Sequence, residues 1–313
     1  MTEPTRADRL SGAVWGHLIG DAMGVPYEFR DASAIGVVRW GERGTYEEPP
    51  GTWSDDGALM LALLESLLDG FDTTDQSARF LDWHDRAAYT PDGDGAFDVG
   101  TTTRHALDRI RDGVPPEDAG PTGGRSQANG SLMRILPIAL TAREPEVKLP
   151  ELVARAQRAS RVTHGHVTCQ VACALYVVTA RDLLRGDPDR GRALEVARRR
   201  LRLFYAGSGS APRSDEHVAA LDRIEAWTER AGRGGVIDSF WSAWDAFAGA
   251  ASYRETIARA IGYGNDTDTT AAIAGGLAGI YWGIGGIPHE WLDGMRGHDL
   301  VDPLVERLRL TSG

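Results

Sequence analysis

The chain offers no apolar run near the ~18 residues that cross a bilayer, so no membrane span is expected. Its opening residues hold no apolar core of the kind an export signal carries, and the cytoplasm is the expected compartment. Cysteine is scarce. Cys169 and Cys173 lie four apart in one apolar run, which fits reduced core residues and excludes a disulfide framework. No internal repeat of fixed period is visible, which excludes a solenoid. Strand patterns are nearly absent, the one short candidate being residues 35–40, so a doubly wound sheet is excluded. Long linkers are missing too. The loosest stretches, 115–127 and 207–213, read as loops between helices, and a single domain over 1–313 is expected. Basic residues are outnumbered, 34 against 45 acidic, a net charge of -11. Such a surface repels phosphate backbones and disfavours general nucleic-acid binding. It leaves room for a small anionic ligand received through divalent cations held by carboxylates.

What the chain does have is helical periodicity. Leu10, Ala13, Val14, Trp15, Leu18 and Ile19 form one apolar stripe, and residues 58–68 form another. Further helical runs are expected over 77–87, 102–111, 131–142, 149–160, 167–184, 192–204 and 215–231, then over 238–248, 253–261, 269–282 and 300–310. With 313 residues, 42% of them hydrophobic, the chain is long enough to bury a sizeable core as an all-α protein. Trp241 and Trp244, at helical spacing, read as core. Arg198, Arg199, Arg200 and Arg202 read as a solvated helix face.

Four clusters break the binary pattern. The first is Gly20-Asp21-Ala22-Met23-Gly24-Val25-Pro26-Tyr27-Glu28-Phe29, where Gly24 and Pro26 stop a helix and leave Glu28 in an extended turn. The second is Thr52-Trp53-Ser54-Asp55-Asp56-Gly57, just ahead of an apolar helix. Ser54 or Asp55 suffices as an N-cap. Three consecutive oxygen side chains are more than a cap needs, and hard divalent cations take such ligands. The third is Gly264-Asn265-Asp266-Thr267-Asp268-Thr269-Thr270, ahead of a helix rich in Ala and Gly that suits a tightly packed central position. It is not an EF-hand, because Ala271 and Leu277 stand where that loop needs Gly and Glu. Two acidic helix starts in buried surroundings need compensation. If they meet in space, a pair of metal ions is a natural solution. The fourth cluster is Ser126-Gln127-Ala128-Asn129-Gly130-Ser131-Leu132-Met133-Arg134, which is either an ordinary helix cap or a backbone nest for a diphosphate.

In this order the four clusters resemble the ADP-ribosylglycohydrolase family, which includes the dinitrogenase reductase-activating glycohydrolases and the ADP-ribosyl-acceptor hydrolases. Phe97-Asp98-Val99-Gly100-Thr101-Thr102-Thr103-Arg104 and Val162-Thr163-His164-Gly165-His166 resemble further segments of the family, and the likeness runs from about residue 8 to residue 285. The resemblance implies a compact, single-domain, multi-helix orthogonal bundle holding two Mg2+ or Mn2+ ions. It implies metal ligands at Ser54, Asp55, Asp56, Asp266, Asp268 and Thr269, catalytic parts for Glu28 and Asp98, and substrate contacts from Asp98, Asn129, Gly130, Ser131 and His164. The implied reaction is hydrolysis of the glycosidic bond between ADP-ribose and an acceptor, by an oxocarbenium-like route. Three positions depart from the family pattern: Ser54 for the commoner threonine, Gly57 for threonine and Thr101 for asparagine. A monomer is expected.

Three other readings compete. His84-Asp85, with His17 and His105, is a minimal match to an HD-type phosphohydrolase. His164, His166, Cys169 and Cys173 have ligand types suited to zinc. A non-catalytic ADP-ribose-binding protein of the same fold is the third. Tyr263 is a candidate to stack on the adenine or the ribose.

Overall fold

A computed structural model describes residues 3–93, 95–142, 146–207 and 212–311. The helices form where the apolar spacing requires and stop where capping residues allow. In chain order they are α1 (Arg6–Gly24), α2 (Asp55–Asp69), α3 (Thr73–Arg86), α4 (Thr101–Arg111), α5 (Pro116–Ala119), α6 (Pro137–Leu140), α7 (Leu149–Arg161) and α8 (Val167–Leu184). They continue with α9 (Arg190–Tyr205), α10 (Asp215–Glu225), α11 (Val236–Ala248), α12 (Tyr253–Ile261), α13 (Thr267–Trp282), α14 (His289–Gly294) and α15 (His298–Thr311). Among the described residues there is no strand, only the isolated bridges Asp31–Gly264 and Ala128–Gly235. The protein is all-α.

The centre is the antiparallel pair α1 and α13. Helix α1 starts in a capping box in which Thr5 Oγ1 accepts from the Asp8 amide at 3.1 Å and the Asp8 carboxylate accepts from the Thr5 amide at 2.9 Å. From Gly12 onward every residue of α1 is buried. Gly12, Gly16, Gly20 and Gly24 recur every fourth residue and so share one face. That face lies on the backbone of α13. A Cβ at Gly20 would sit 2.1 Å from the Ala271 carbonyl oxygen, one at Gly24 2.3 Å from Asp268 Cα, and one at Gly279 1.8 Å from the Gly12 carbonyl oxygen. Helix α2 packs on α3, α6 and α15, and α8 is enclosed by α7, α9, α10, α11 and α13.

Four sequence expectations change. Residues 35–40 form no strand: the chain bends at Val37 and turns at Trp40, and no second run is there to complete a ladder. Residues 131–142 are not one helix: the chain turns through Ser131 to Arg134, and only Pro137–Leu140 is helical. Pro137 has no N–H to donate and its ring would strike the preceding turn, so helix can only begin there. The run 215–231 ends at Glu225, since Gly232 and Gly234 are drawn away by backbone bonds, the Gly232 carbonyl accepting from the Asp266 amide and the Gly234 carbonyl from the Asn129 amide. Helix α8 does have the length and mean hydropathy of a membrane span, yet 94% of it is buried inside the fold, as suits a core helix. The loop 115–127 contains the single turn α5. Of the loop 207–213, residues 208–211 lie outside the described residues. Trp241, Trp244 and both free cysteines are buried in the core. The arginines of α9 are half-buried where they form ion pairs, Arg198 with Glu225 and Arg200 with Asp182.

Overpacking a close backbone contact costs about 1–3 kcal/mol, sometimes more. Gly279→Ala is therefore expected to lower unfolding stability by at least that amount in a denaturant titration. An unchanged midpoint would mean that α1 and α13 do not touch as described.

Candidate active site

The contact of Gly24 with Asp268 sets the end of α1 against the start of α13. One turn earlier, Asp21 faces the start of α2. Its carboxylate accepts from the Ser54 amide at 3.0 Å, the Ser54 hydroxyl at 2.9 Å and the Gly57 amide at 2.7 Å. A side chain from another helix thus satisfies the free N–H groups of α2. Gly57 has no room for a side chain, because a Cβ there would lie 2.7 Å from the Trp53 ring. Across the gap, Thr269 Oγ1 donates to Asp56 Oδ2 at 3.2 Å, and Ser54 Oγ lies 3.3 Å from the same oxygen. The two acidic helix starts, some 210 residues apart in sequence, meet face to face.

Glu28 joins them from a third direction. Beyond α1 the chain makes a 3-10 turn over Val25–Tyr27 and reverses at Phe29 (φ 63°). The Phe29 amide donates to the Asn265 carbonyl at 2.6 Å and the Asn265 amide to the Arg30 carbonyl at 2.8 Å, which pins the Glu28 turn to the loop before α13. Carboxylate oxygens of Glu28, Asp266 and Asp268 all lie within 4.8 Å of one another. Asp98, in the left-handed region at φ 54°, enters from the loop before α4 and accepts from Tyr46 Oη at 2.7 Å. Asn129 Nδ2 donates to Asp266 Oδ2 at 2.8 Å and to Ser239 Oγ at 2.9 Å. Behind Asn129 the loop is built into the core. The buried Arg134 guanidinium donates to the Gly130 and Ala159 carbonyls. Ser131 Oγ accepts from Ser160 Oγ at 2.9 Å, and the His164 ring packs under Gly130 with Nδ1 2.8 Å from Thr163 Oγ1. Ser131 and His164 therefore lie behind the loop, and from this segment it is the Asn129 side chain that meets the acids.

The competing constellations do not assemble. His166 accepts the Thr168 amide as the cap of α8, and the Cys169 thiol faces the Ser126 and Ala128 carbonyls. Among the described residues, Glu28, Asp266 and Asp268 form the one His/Cys/Asp/Glu group with metal-binding spacing, and no zinc set forms. His84 and Asp85 pair with each other and with Arg111 at the surface, while His17 is fully buried near the Asp56 carbonyl, so no HD site forms. Tyr263 donates to Asp245. A cavity of about 640 Å3, lined by Arg9, Pro188 and Trp282 among others, opens at the opposite end of the α1–α13 pair, away from these acids.

Burial pushes every one of these carboxyls up, Asp98 to about 6, Asp21 to about 7 and Glu28 to about 8. Asp266 is also raised, and Asp55, Asp56 and Asp268 stand well above the usual carboxylate range. Neighbouring carboxylates add to burial at Glu28, Asp55, Asp56 and Asp268, whereas the bonds from Ser54 and Gly57 pull Asp21 partly back. Buried without any partner are Glu28 Oε2, Asp56 Oδ1 and Asp268 Oδ2. Unpartnered buried acceptors are costly, and an all-oxygen donor set suits a hard divalent cation, so the site fits a metal ion.

Sequence reasoning passed over two residues here. Asp21 was legible as a lone carboxylate inside an apolar helix. Tyr46 lies in a polar loop and gave no signal.

The all-α fold gathers an oxygen-donor site from facing acidic helix starts, and likeness to known proteins assigns its family. It belongs to the ADP-ribosylglycohydrolase family, which it matches over residues 2–313. It is 26% identical to ADP-ribosylarginine hydrolase Tri1 of Serratia proteamaculans (strain 568), over 98% of this chain and 81% of that one. It is 28% identical to the ADP-ribosyl-[dinitrogen reductase] glycohydrolase of Rhodospirillum rubrum, over 93% of this chain and 92% of that one. A solved structure described as an ADP-ribosylglycohydrolase-related protein complex superposes with a TM-score of 0.79 at 32% identity, covering 98% of this chain and 99% of that chain.

The raised carboxyls bind protons more tightly folded than unfolded, so stability present below about pH 4 is lost as pH climbs through their folded values, which for Asp98, Asp21 and Glu28 run from about 6 to about 8. In chelator the melting temperature is expected to be lower at about pH 8 than at about pH 5, and added Mg2+ or Mn2+ to raise it at the higher pH. A melting temperature that climbs with pH in chelator would contradict this electrostatic picture.

Proposed function

We propose that this protein is a divalent-metal-dependent hydrolase that cleaves the glycosidic bond between ADP-ribose and an acceptor. The observation that carries the reading is the set of unpartnered, buried carboxylate oxygens on Glu28, Asp56 and Asp268, which converge from the ends of α1, α2 and α13. Ser54, Asp55, Asp56, Asp266, Asp268 and Thr269 would hold two Mg2+ or Mn2+ ions. Bound there, the ions would supply positive charge to substrate oxygens and acidify nearby water.

The chain's own groups account for the rest. Glu28 has a free oxygen and a raised pKa of about 8, so it can take a proton from a water aimed at the anomeric carbon and release it again. Asp98, with one oxygen engaged by Tyr46, presents the other to the ribose, where positive charge builds as the bond to the acceptor breaks. Asn129 and the Gly130 backbone form the rim for the diphosphate, while Ser131 and His164 brace that rim from within. The net charge of -11 favours a small or metal-screened anion over a long polyanion. The names of the relatives share the ADP-ribosyl linkage and differ in acceptor, so the substrate class is an ADP-ribosylated acceptor.

The test is release of ADP-ribose from a panel of ADP-ribosylated acceptors (arginine, serine, nucleic-acid ends and small molecules) with Mg2+, Mn2+ or chelator. Turnover is expected with metal and not with chelator. Asp268→Ala should lose cation binding and roughly 10³-fold or more in turnover, the equivalent of several kcal/mol. Full activity of Asp268→Ala in chelator would end the proposal. ADP-ribose binding without release from any acceptor would mark a binding protein instead.

A further inference from the structure

A short strap runs from the Glu28 turn to the Asp98 loop. It begins at Gly44, whose backbone lies so close to the turn that a Cβ would sit 1.8 Å from the Pro26 carbonyl oxygen. Next, Thr45 Oγ1 donates to the Glu28 carbonyl at 2.7 Å. Then Tyr46 reaches over to donate its hydroxyl proton to Asp98 Oδ1 at 2.7 Å. Its ring is held by Phe97 at 5.0 Å and Phe29 at 6.5 Å between centroids. The strap therefore touches each of the two acids that the hydrolase reading places at the reacting bond, and it does so through two consecutive residues, Thr45 and Tyr46.

Left-handed backbone occurs at one acid and beside the other, Glu28 itself being extended at φ -55°. Asp98 itself and Phe29, the residue after Glu28, have φ values of 54° and 63°. Non-glycine residues in that region persist where surrounding contacts over-determine them. The strap supplies such contacts to both. The phenol has one proton to give. The Glu28 carboxyl lies within its reach as well, yet the bond runs to Asp98, while Glu28 Oε2 has no partner.

We propose that Tyr46 is a positioning residue that fixes Asp98 relative to Glu28, occupying one Asp98 oxygen so that the two acids stay unequal and Glu28 keeps an open oxygen toward the substrate. This rests on the hydrolase reading of the same site.

The test compares wild type with Tyr46→Phe, which removes one oxygen and leaves the ring. Misplacing a catalytic group by about 1 Å costs about 100-fold. A kcat loss of that order is expected, with KM and melting temperature nearly unchanged. In a crystal structure of the variant the Asp98 carboxylate should leave its wild-type position. In a double-mutant cycle with Asp98→Asn the two losses should fail to add. Thr45→Val, which cuts the other end of the strap, should lower kcat in the same direction and serves should Tyr46→Phe not fold. The proposal is overturned if Tyr46→Phe keeps wild-type kcat, if Asp98 and Glu28 superpose on their wild-type positions, or if kcat, KM and melting temperature all fall together as for general loosening. A wild type that releases ADP-ribose from no acceptor would defeat the hydrolase reading instead. The crystal structures would still decide the strap.

Discussion

Everything at the candidate site depends on two helices touching without side chains between them. On the face of α1 toward α13, the glycines at 12, 16, 20 and 24 lie against main-chain atoms of α13. A helix pair separated by ordinary side chains stands 8–10 Å apart, whereas glycine at the contact lets backbones approach more closely. Here that approach brings the last turn of α1 onto the first turn of α13. Asp21 can then reach α2, and Glu28 can turn back over Asp266 and Asp268. The glycines give up helix propensity. What they gain is a fixed base for a cluster of charges that would otherwise push itself apart.

The carboxylates gathered there are of two kinds, and their hydrogen bonds separate them. Asp21 is satisfied by three donors from the start of α2, so its work is to hold that helix in place. Glu28, Asp56 and Asp268 each keep a buried oxygen with no partner. A carboxylate that is buried and unsatisfied loses hydration without recompense. A hard cation would supply the missing charge there, and the carboxylate and hydroxyl oxygens gathered at the site suit one.

The sequence made some of this legible and concealed the rest for physical reasons. Acids at 55, 56, 266 and 268 stood out because each pair breaks the start of an apolar helix in excess of what one cap requires. The small residues of α13 announced a helix packed at close range. The approach of Glu28 and Asp98 was legible through the family likeness, since a lone acid in a turn has no periodic signature. Tyr46 was hidden: its bond to Asp98 spans 52 residues and depends on how an irregular loop folds back. The helix expected over 131–142 failed because the apolar pattern outvoted Pro137, although proline decides locally whether a helix can continue. The strand expected over 35–40 failed because a strand is a property of a pair, and this fold provides no second member.

On the proposed function, the facing starts of α2 and α13 form a receptor for divalent ions. Anomalous diffraction from crystals soaked in Mn2+ tests it most directly. Two peaks are expected among Asp55, Asp56, Glu28, Asp266 and Asp268, about 3.5–4 Å apart. A saturating soak that left these oxygens without anomalous density, or that placed manganese only elsewhere on the surface, would contradict it.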